Sequence, residues 1–216
     1  MKELIIVGIL FILSTTVAYK CGTTVTVKTP ECTLDTIHIK EVIRKTSSNK
    51  EVWDDKIDFF ITDETIATAE YFWREEGILP SVYLAQAALE TGYGTSSLVK
   101  RTNNRGNIKT SGKGIKAYDP IEKSFHTYAV FDSVFEGELA VVKLLKSFEA
   151  IKKVLGQVDY KKWTQALENC PYSTDPLYEE KLNSIIRKFS LYELDRAILR
   201  NDLIVNFEGK VISYQI

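Results

Sequence analysis

The sequence predicts an α+β fold that is mainly α, and three observations carry that prediction. Apolar residues recur at helical spacing in successive stretches between residues 63 and 189, one pair of short apolar runs carries hairpin turn chemistry, and the composition is that of an ordinary globular chain. At 216 residues, 44% hydrophobic and 26% charged, there is enough chain for one medium domain with a real core. The 28 basic and 29 acidic residues nearly cancel, so no global field points to nucleic acid as a partner.

Met1-Lys2-Glu3 precedes Leu4 to Leu13, an apolar run of ten residues with the length of a signal-peptide core, and Thr16 and Ala18 supply the small residues before a cut after Ala18. Residues 1–18 are therefore expected to be a signal peptide, and the protein to be secreted or held in the cell envelope. An uncleaved N-terminal anchor is the alternative, although Leu4 to Tyr19 falls short of the ~20 apolar residues of a bilayer span. Lipid attachment at Cys21 is disfavoured by Tyr19 and Lys20 before it. Residues 19–50 are polar and rich in Thr and Ser, and read as a linker, with TVTVK as a possible strand. In an oxidising compartment Cys21 and Cys32 can close a short loop and leave Cys170 unpaired. His38 and His126 stand at no zinc-ligand spacing with a cysteine, so no metal site is expected, and no cofactor.

The folded domain is expected over residues 51–196. Its first helix starts at Asp63 as N-cap, buries Ile66, Ala69, Tyr71, Phe72 and Trp73, and ends near Gly77. A second helix opens on Pro80, whose missing N–H is no loss at a first helical position, and runs through Val82, Leu84, Ala85, Ala88 and Leu89 to Gly92. Glu90 is the one charged residue in it. A carboxylate at a helix C-terminus meets the negative end of the macrodipole as well as any burial, and both raise its pKa toward that of a general acid at neutral pH. A solvated helix-end carboxylate or a salt-bridge partner is the plainer reading of the same residue.

Gly94 to Lys109 reads as a loop whose Asn103, Asn104, Gly106 and Asn107 tolerate turn and left-handed backbone and can present amides to a ligand. Ile115 to Tyr118 and Phe125 to Val130 read as the strands of a hairpin that turns at Asp119-Pro120. A helix is predicted over Ser133 to Leu155, with Phe135, Leu139, Val142, Leu145 and Phe148 buried, and a shorter one over Asp159 to Glu168, where Trp163 reads as packing. Asp175-Pro176 caps a further helix over Leu177 to Phe189. Residues 197–216 form an extension in which Leu203, Val205, Phe207, Val211, Ile212 and Tyr214 alternate around Glu208-Gly209, as in a small hairpin.

LAQAALETGYGTSS followed by TNNRGNIK resembles the family of glucosaminidases that cut peptidoglycan glycan strands, glycoside hydrolase family 73, and YSTDPLYEEKLNSII is similar to the family's Y-A-T-D-P-x-Y-x-x-K-L-x-x-I-I signature. The resemblance covers about residues 61–195. It implies a lysozyme-like helical domain with a small β-hairpin lobe beside the cleft, Glu90 as the general acid, and Tyr172 in the cleft beside it. The family places a second acidic residue in the hairpin lobe, where Asp119 and Glu122 are both available. Asn103, Asn104, Asn107 and Tyr128 are the candidates for holding the sugar. The family's loop reads N-N-x-F-G-I-K, and here Arg105, Gly106 and Asn107 replace its middle.

These features imply an exported, monomeric endo-β-N-acetylglucosaminidase whose partner is the peptidoglycan glycan strand, with the membrane involved only through an uncleaved N-terminus. The hairpin carboxylate either activates a water or assists attack by the substrate's own acetamido oxygen. A muramidase on the same scaffold cuts the other linkage. A cysteine peptidase or amidase using Cys170 and His126, and an inactive wall-binding module, are the readings from other classes.

Overall fold

The computed structural model describes residues 62–119, 123–173 and 175–205. The expected signal peptide and linker, Glu122 and the end of the C-terminal extension, with the hairpin expected around Glu208-Gly209, lie outside the described residues. No helix among the described residues is long and apolar enough to cross a membrane.

Helix α1 (Asp63–Glu76) is capped by Thr62, one residue before the expected Asp63: the Thr62 hydroxyl accepts from the Thr65 N–H at 3.1 Å, and Asp63 and Glu64 instead face the positive end of the dipole in the first turn. Gly77 ends it at φ +70° with its N–H on the last carbonyls. Helix α2 (Pro80–Thr91) follows after a short connection and is buried along its length except at Leu89. That burial explains its composition. It packs against α1, and against α6 (Tyr160–Glu168), α7 (Tyr178–Lys188) and α8 (Tyr192–Val205), so a helix apolar on every face is required.

Asp195 on α8 secures the start of α2, accepting from the Ser81 backbone N–H at 2.7 Å and from the Ser81 hydroxyl at 2.6 Å. Its end is closed by Gly92, left-handed at φ +56°. The stretch expected to be a loop contains a short helix α3 (Ser97–Thr102), with Ser96 as cap and Asn103 left-handed at its end. The hairpin pairs β1 (Ile115–Asp119) with β2 (Ser124–Tyr128), Ile115 opposite Tyr128 and Asp119 opposite Ser124. Tyr118 and Phe125 face each other on the exposed side, while Asp119 and Tyr128 lie on the buried one.

The single helix expected over Ser133 to Leu155 is two. Helix α4 (Val134–Leu145) stops at Lys146, the Ser147 hydroxyl turns back onto the Leu144 carbonyl at 2.6 Å, and Phe148 is extended before a single turn, α5 (Glu149–Lys152). Trp163 on α6 is fully buried and donates to the Gln157 carbonyl at 2.8 Å, as a packing residue. The cap of α7 is Leu177 and not the expected Asp175, which sits two residues earlier, taking the Leu177 N–H at 3.0 Å and pairing with Lys181. Residues 199–205, expected as the first strand of a terminal hairpin, are the last turns of α8.

Candidate active site

Glu90 sits on the last turn of α2 with only 6% of its surface exposed. Burial drives its pKa up to about 7, and the nearby Tyr178 hydroxyl and Asn107 amide oppose that rise without cancelling it. The Tyr178 hydroxyl reaches Glu90 Oε1 at 3.3 Å from α7, and Gln86 Nε2, one turn before Glu90, donates to the same hydroxyl at 3.2 Å. Glu90 Oε2 is buried with no hydrogen-bond partner. With that pKa the carboxyl is about half protonated at neutral pH, and one of its oxygens is unengaged.

The Asn103–Asn107 loop wraps the end of α2. Asn104 is spent on the loop itself: Nδ2 donates to the Ile108 and Ala129 carbonyls at 2.9 and 3.0 Å, and Oδ1 accepts from the Ile108 N–H at 2.9 Å. Asn103 likewise donates to the Phe131 carbonyl at 2.9 Å. These two amides, expected to face a sugar, hold the loop to the segment after the hairpin. Asn107 differs. It is left-handed at φ +52° where the family pattern has glycine, a conformation asparagine tolerates, and its Nδ2 lies 3.4 Å from the Glu90 carbonyl. Gly106 stands where that pattern has an aromatic, and even a Cβ there would lie 2.2 Å from Val141 Cγ2, so a side chain fits only if Val141 moves.

Arg105 turns inward and bonds Glu138 of α4 at 2.6 Å, with Glu138 buried. Burial pushes the Glu138 carboxyl up while the guanidinium holds it down. Tyr83 lies beside the pair, its hydroxyl outside hydrogen-bond geometry. This pair, Glu90, Gln86 and Tyr172 line one mainly apolar cavity, with room of about 30 Å³ for water. Tyr172 lines the same cavity as Glu90, yet its hydroxyl has no hydrogen-bond partner and the donor to the carboxylate is Tyr178.

On the hairpin, Asp119 is buried at the end of β1, 3.5 Å from the Tyr128 hydroxyl and 3.7 Å from Lys109 Nζ. Tyr128 therefore supports Asp119. Cys170 donates to the Leu167 carbonyl at 3.2 Å with its thiol pushed up by burial, and His126 Nε2 lies 2.7 Å from the Ser124 hydroxyl, so each has a partner of its own. Among the described residues no cluster of three or more His, Cys, Asp or Glu side chains could hold a metal ion.

Residues 66–191 match the family model described as mannosyl-glycoprotein endo-beta-N-acetylglucosaminidase, more than half of the chain. The chain belongs to this glucosaminidase family. It is similar to the exo-glucosaminidase LytG of Bacillus subtilis, 30% identical over a 148-residue alignment, with 62% of this chain and 52% of that one covered. The chain thus spans about half the length of this curated relative. Among solved structures, a peptidoglycan hydrolase from Sphingomonas sp. A1 shares 28% identity with a TM-score of 0.52, covering 62% of this chain and 90% of its own. The glycoside hydrolase domain of FlgJ from Salmonella typhimurium shares 25% at a TM-score of 0.50, covering 71% and 99%. The catalytic domain of the autolysin Auto from Listeria monocytogenes has the same fold, at 24% identity and a TM-score of 0.52 over 73% of this chain and 96% of its own.

Within this glucosaminidase domain, Gln86, Tyr178, Arg105 and Glu138 are the site residues that sequence reasoning passed over. Gln86 and Tyr178 both stand inside the motifs that carry the resemblance, and that was their only signal.

Proposed function

We propose that the protein is an exported endo-β-N-acetylglucosaminidase that hydrolyses the β-1,4 bond after N-acetylglucosamine in peptidoglycan, with Glu90 as general acid. The observation that carries this is the Glu90 carboxyl itself, buried at the end of α2 with a pKa of about 7 and a free oxygen. The relatives support the substrate class: one is named a peptidoglycan hydrolase and another an exo-glucosaminidase. Glu90 gives its proton to the glycosidic oxygen as the C1–O bond breaks, and the bonding pair leaves with that oxygen. Water adds its oxygen to C1, and its proton goes to a carboxylate of the hairpin lobe, Asp119 or Glu122, or the acetamido oxygen attacks first and water opens the resulting ring. Tyr172 and Asn107 line the approach to the reacting bond.

Digestion of peptidoglycan by wild type and Glu90→Gln, followed by borohydride reduction, tests the reading. Reducing N-acetylglucosamine ends from wild type alone are expected, with fragments of many lengths rather than single terminal sugars. Reducing N-acetylmuramic acid would make the enzyme a muramidase, and release of terminal sugars alone would make it exo-acting. Full activity in Glu90→Gln would remove the general-acid role.

A further inference from the structure

The hydroxyl of Tyr178 stands between two side chains of α2, Gln86 and Glu90, which are four residues apart and therefore on one face of the helix. A phenol has one proton to give, and its direction is set by what occupies its lone pairs. Gln86 Nε2 has only protons to offer and lies 3.2 Å away, so it fills a lone pair of the Tyr178 oxygen and leaves the phenolic proton for Glu90 Oε1 at 3.3 Å. With the amide turned the other way, Gln86 would accept the phenolic proton and Glu90 Oε1 would face a lone pair. All three side chains are buried, so bulk water does not compete for the bonds between them.

An oxygen that accepts a hydrogen bond is the poorer place for the carboxylic proton. We infer that Gln86 and Tyr178 form a one-way relay that settles the transferable proton of Glu90 on Oε2, the oxygen with no protein partner. The relay rests on the general-acid reading of Glu90 and deepens it, because it names the atom from which the proton leaves. Tyr178 and Gln86 are positioning residues: they act through Glu90 and not on the sugar. The ring of Tyr178 packs 6.0 Å from that of Tyr172, so the two tyrosines divide the work, one holding the acid and the other lining the cavity.

Other groups face Glu90 as well. Tyr172 comes from the segment before α7, the uncharged Asn107 amide from the loop after α3, and the Arg105–Glu138 pair with Tyr83 from across the shared cavity. None of these residues is itself replaced in Tyr178→Phe or Gln86→Leu, and the agreement in direction between the two variants reports the relay.

The test is a carbon-detected NMR titration of the Glu90 carboxyl in the full chain, alongside the pH dependence of peptidoglycan digestion. Tyr178→Phe keeps the buried ring and removes the donor, so the Glu90 pKa and the basic limb of the profile should rise by about one pH unit with a fall in kcat. Gln86→Leu should move both in the same direction by less, since the phenol is then free to turn. If Glu90 titrates in Tyr178→Phe where it does in wild type, the relay is wrong. A shift in Tyr178→Phe with none in Gln86→Leu would remove Gln86 and the one-way direction with it. The titration reads the relay without turnover. An inactive wild type, or an active Glu90→Gln, would therefore sink the general-acid reading, while the titration alone would still uphold or overturn the relay.

Discussion

Gly137→Ala separates close packing from helix propensity, because the two predict opposite signs. Gly137 lies in α4, where replacing glycine by alanine ordinarily stabilises a helix by about 1 kcal/mol. Here a Cβ would lie 2.1 Å from the Asn103 carbonyl oxygen and 3.1 Å from Phe131 Cδ2. A carbon approaches a carbonyl oxygen to about 3.3 Å at closest, so helix and loop must part by about 1 Å. Asn103 cannot easily yield. Its backbone is left-handed, its N–H closes α3 on the Val99 carbonyl at 2.8 Å, and its side chain holds the Phe131 carbonyl at 2.9 Å. Overpacking costs about 1–3 kcal/mol, and a strained or lost Asn103 bond adds about 1, so a net destabilisation of about 1–3 kcal/mol is expected after the propensity gain. In a domain of this size that lowers Tm by about 2–4 °C per kcal/mol. A thermal melt measures it, and digestion assays should show reduced turnover as the loop carries Asn107 away from Glu90. A Tm at or above that of wild type would refute the packing argument.

Glu90→Gln should stabilise the fold increasingly as pH rises. Because the Glu90 pKa is raised in the folded state, folding favours the protonated carboxyl, so its unfavourable charged form weighs on stability from about pH 4.5 upward and fully above about pH 7. The gap in stability between variant and wild type should grow by about 2–4 kcal/mol between pH 4.5 and pH 8, and paired melts across that range would show it. Asn104→Ala removes three hydrogen bonds that hold the loop and should destabilise the protein by about 2–3 kcal/mol, read as a lower Tm and faster amide exchange at Ile108. Cys170→Ala should leave peptidoglycan digestion at wild-type level, since the thiol only fills space and bonds the Leu167 carbonyl; loss of activity would revive a thiol mechanism.

The helices were legible where punctuation and apolar period agree. Pro80 and Gly92 frame α2 and Gly77 ends α1, and the structure has them there. Period alone misled twice. Phe148 continues the apolar spacing of α4 across a break made by Ser147, and the alternation at Leu203 and Val205 hid the end of a helix that begins at Tyr192. Helix α3 is only six residues, too short for an apolar period to show, and only Ser96 signalled it. In the site, Glu90 was legible as a lone charge in an apolar helix. Its partners were not, because Gln86 meets Tyr178 only through the packing of α2 on α7, and no local pattern encodes that contact.

The altered middle of the loop has an electrostatic consequence for the acid. Gly106 against Val141 and Gly137 against the Asn103 carbonyl press the loop onto α4, and Arg105 enters the cavity that Glu90 lines. A guanidinium alone there would favour the charged form of Glu90 and pull its pKa down, which a general acid at neutral pH cannot accommodate. An ionised Glu138 bonded to Arg105 at 2.6 Å makes the pair nearly neutral, and burial, Tyr178 and Asn107 are then what set the Glu90 pKa. Glu138→Gln keeps a hydrogen-bonding partner for Arg105 while removing the negative charge, so Glu90 should titrate lower, by about half to one pH unit for charges separated by a partly apolar cavity. The basic limb of the activity profile should move down with it, opposite to the shift expected for Tyr178→Phe. A limb that stays in place or moves up in Glu138→Gln would mean that Arg105 and Glu90 do not sense each other, and that the loop's arginine serves packing alone.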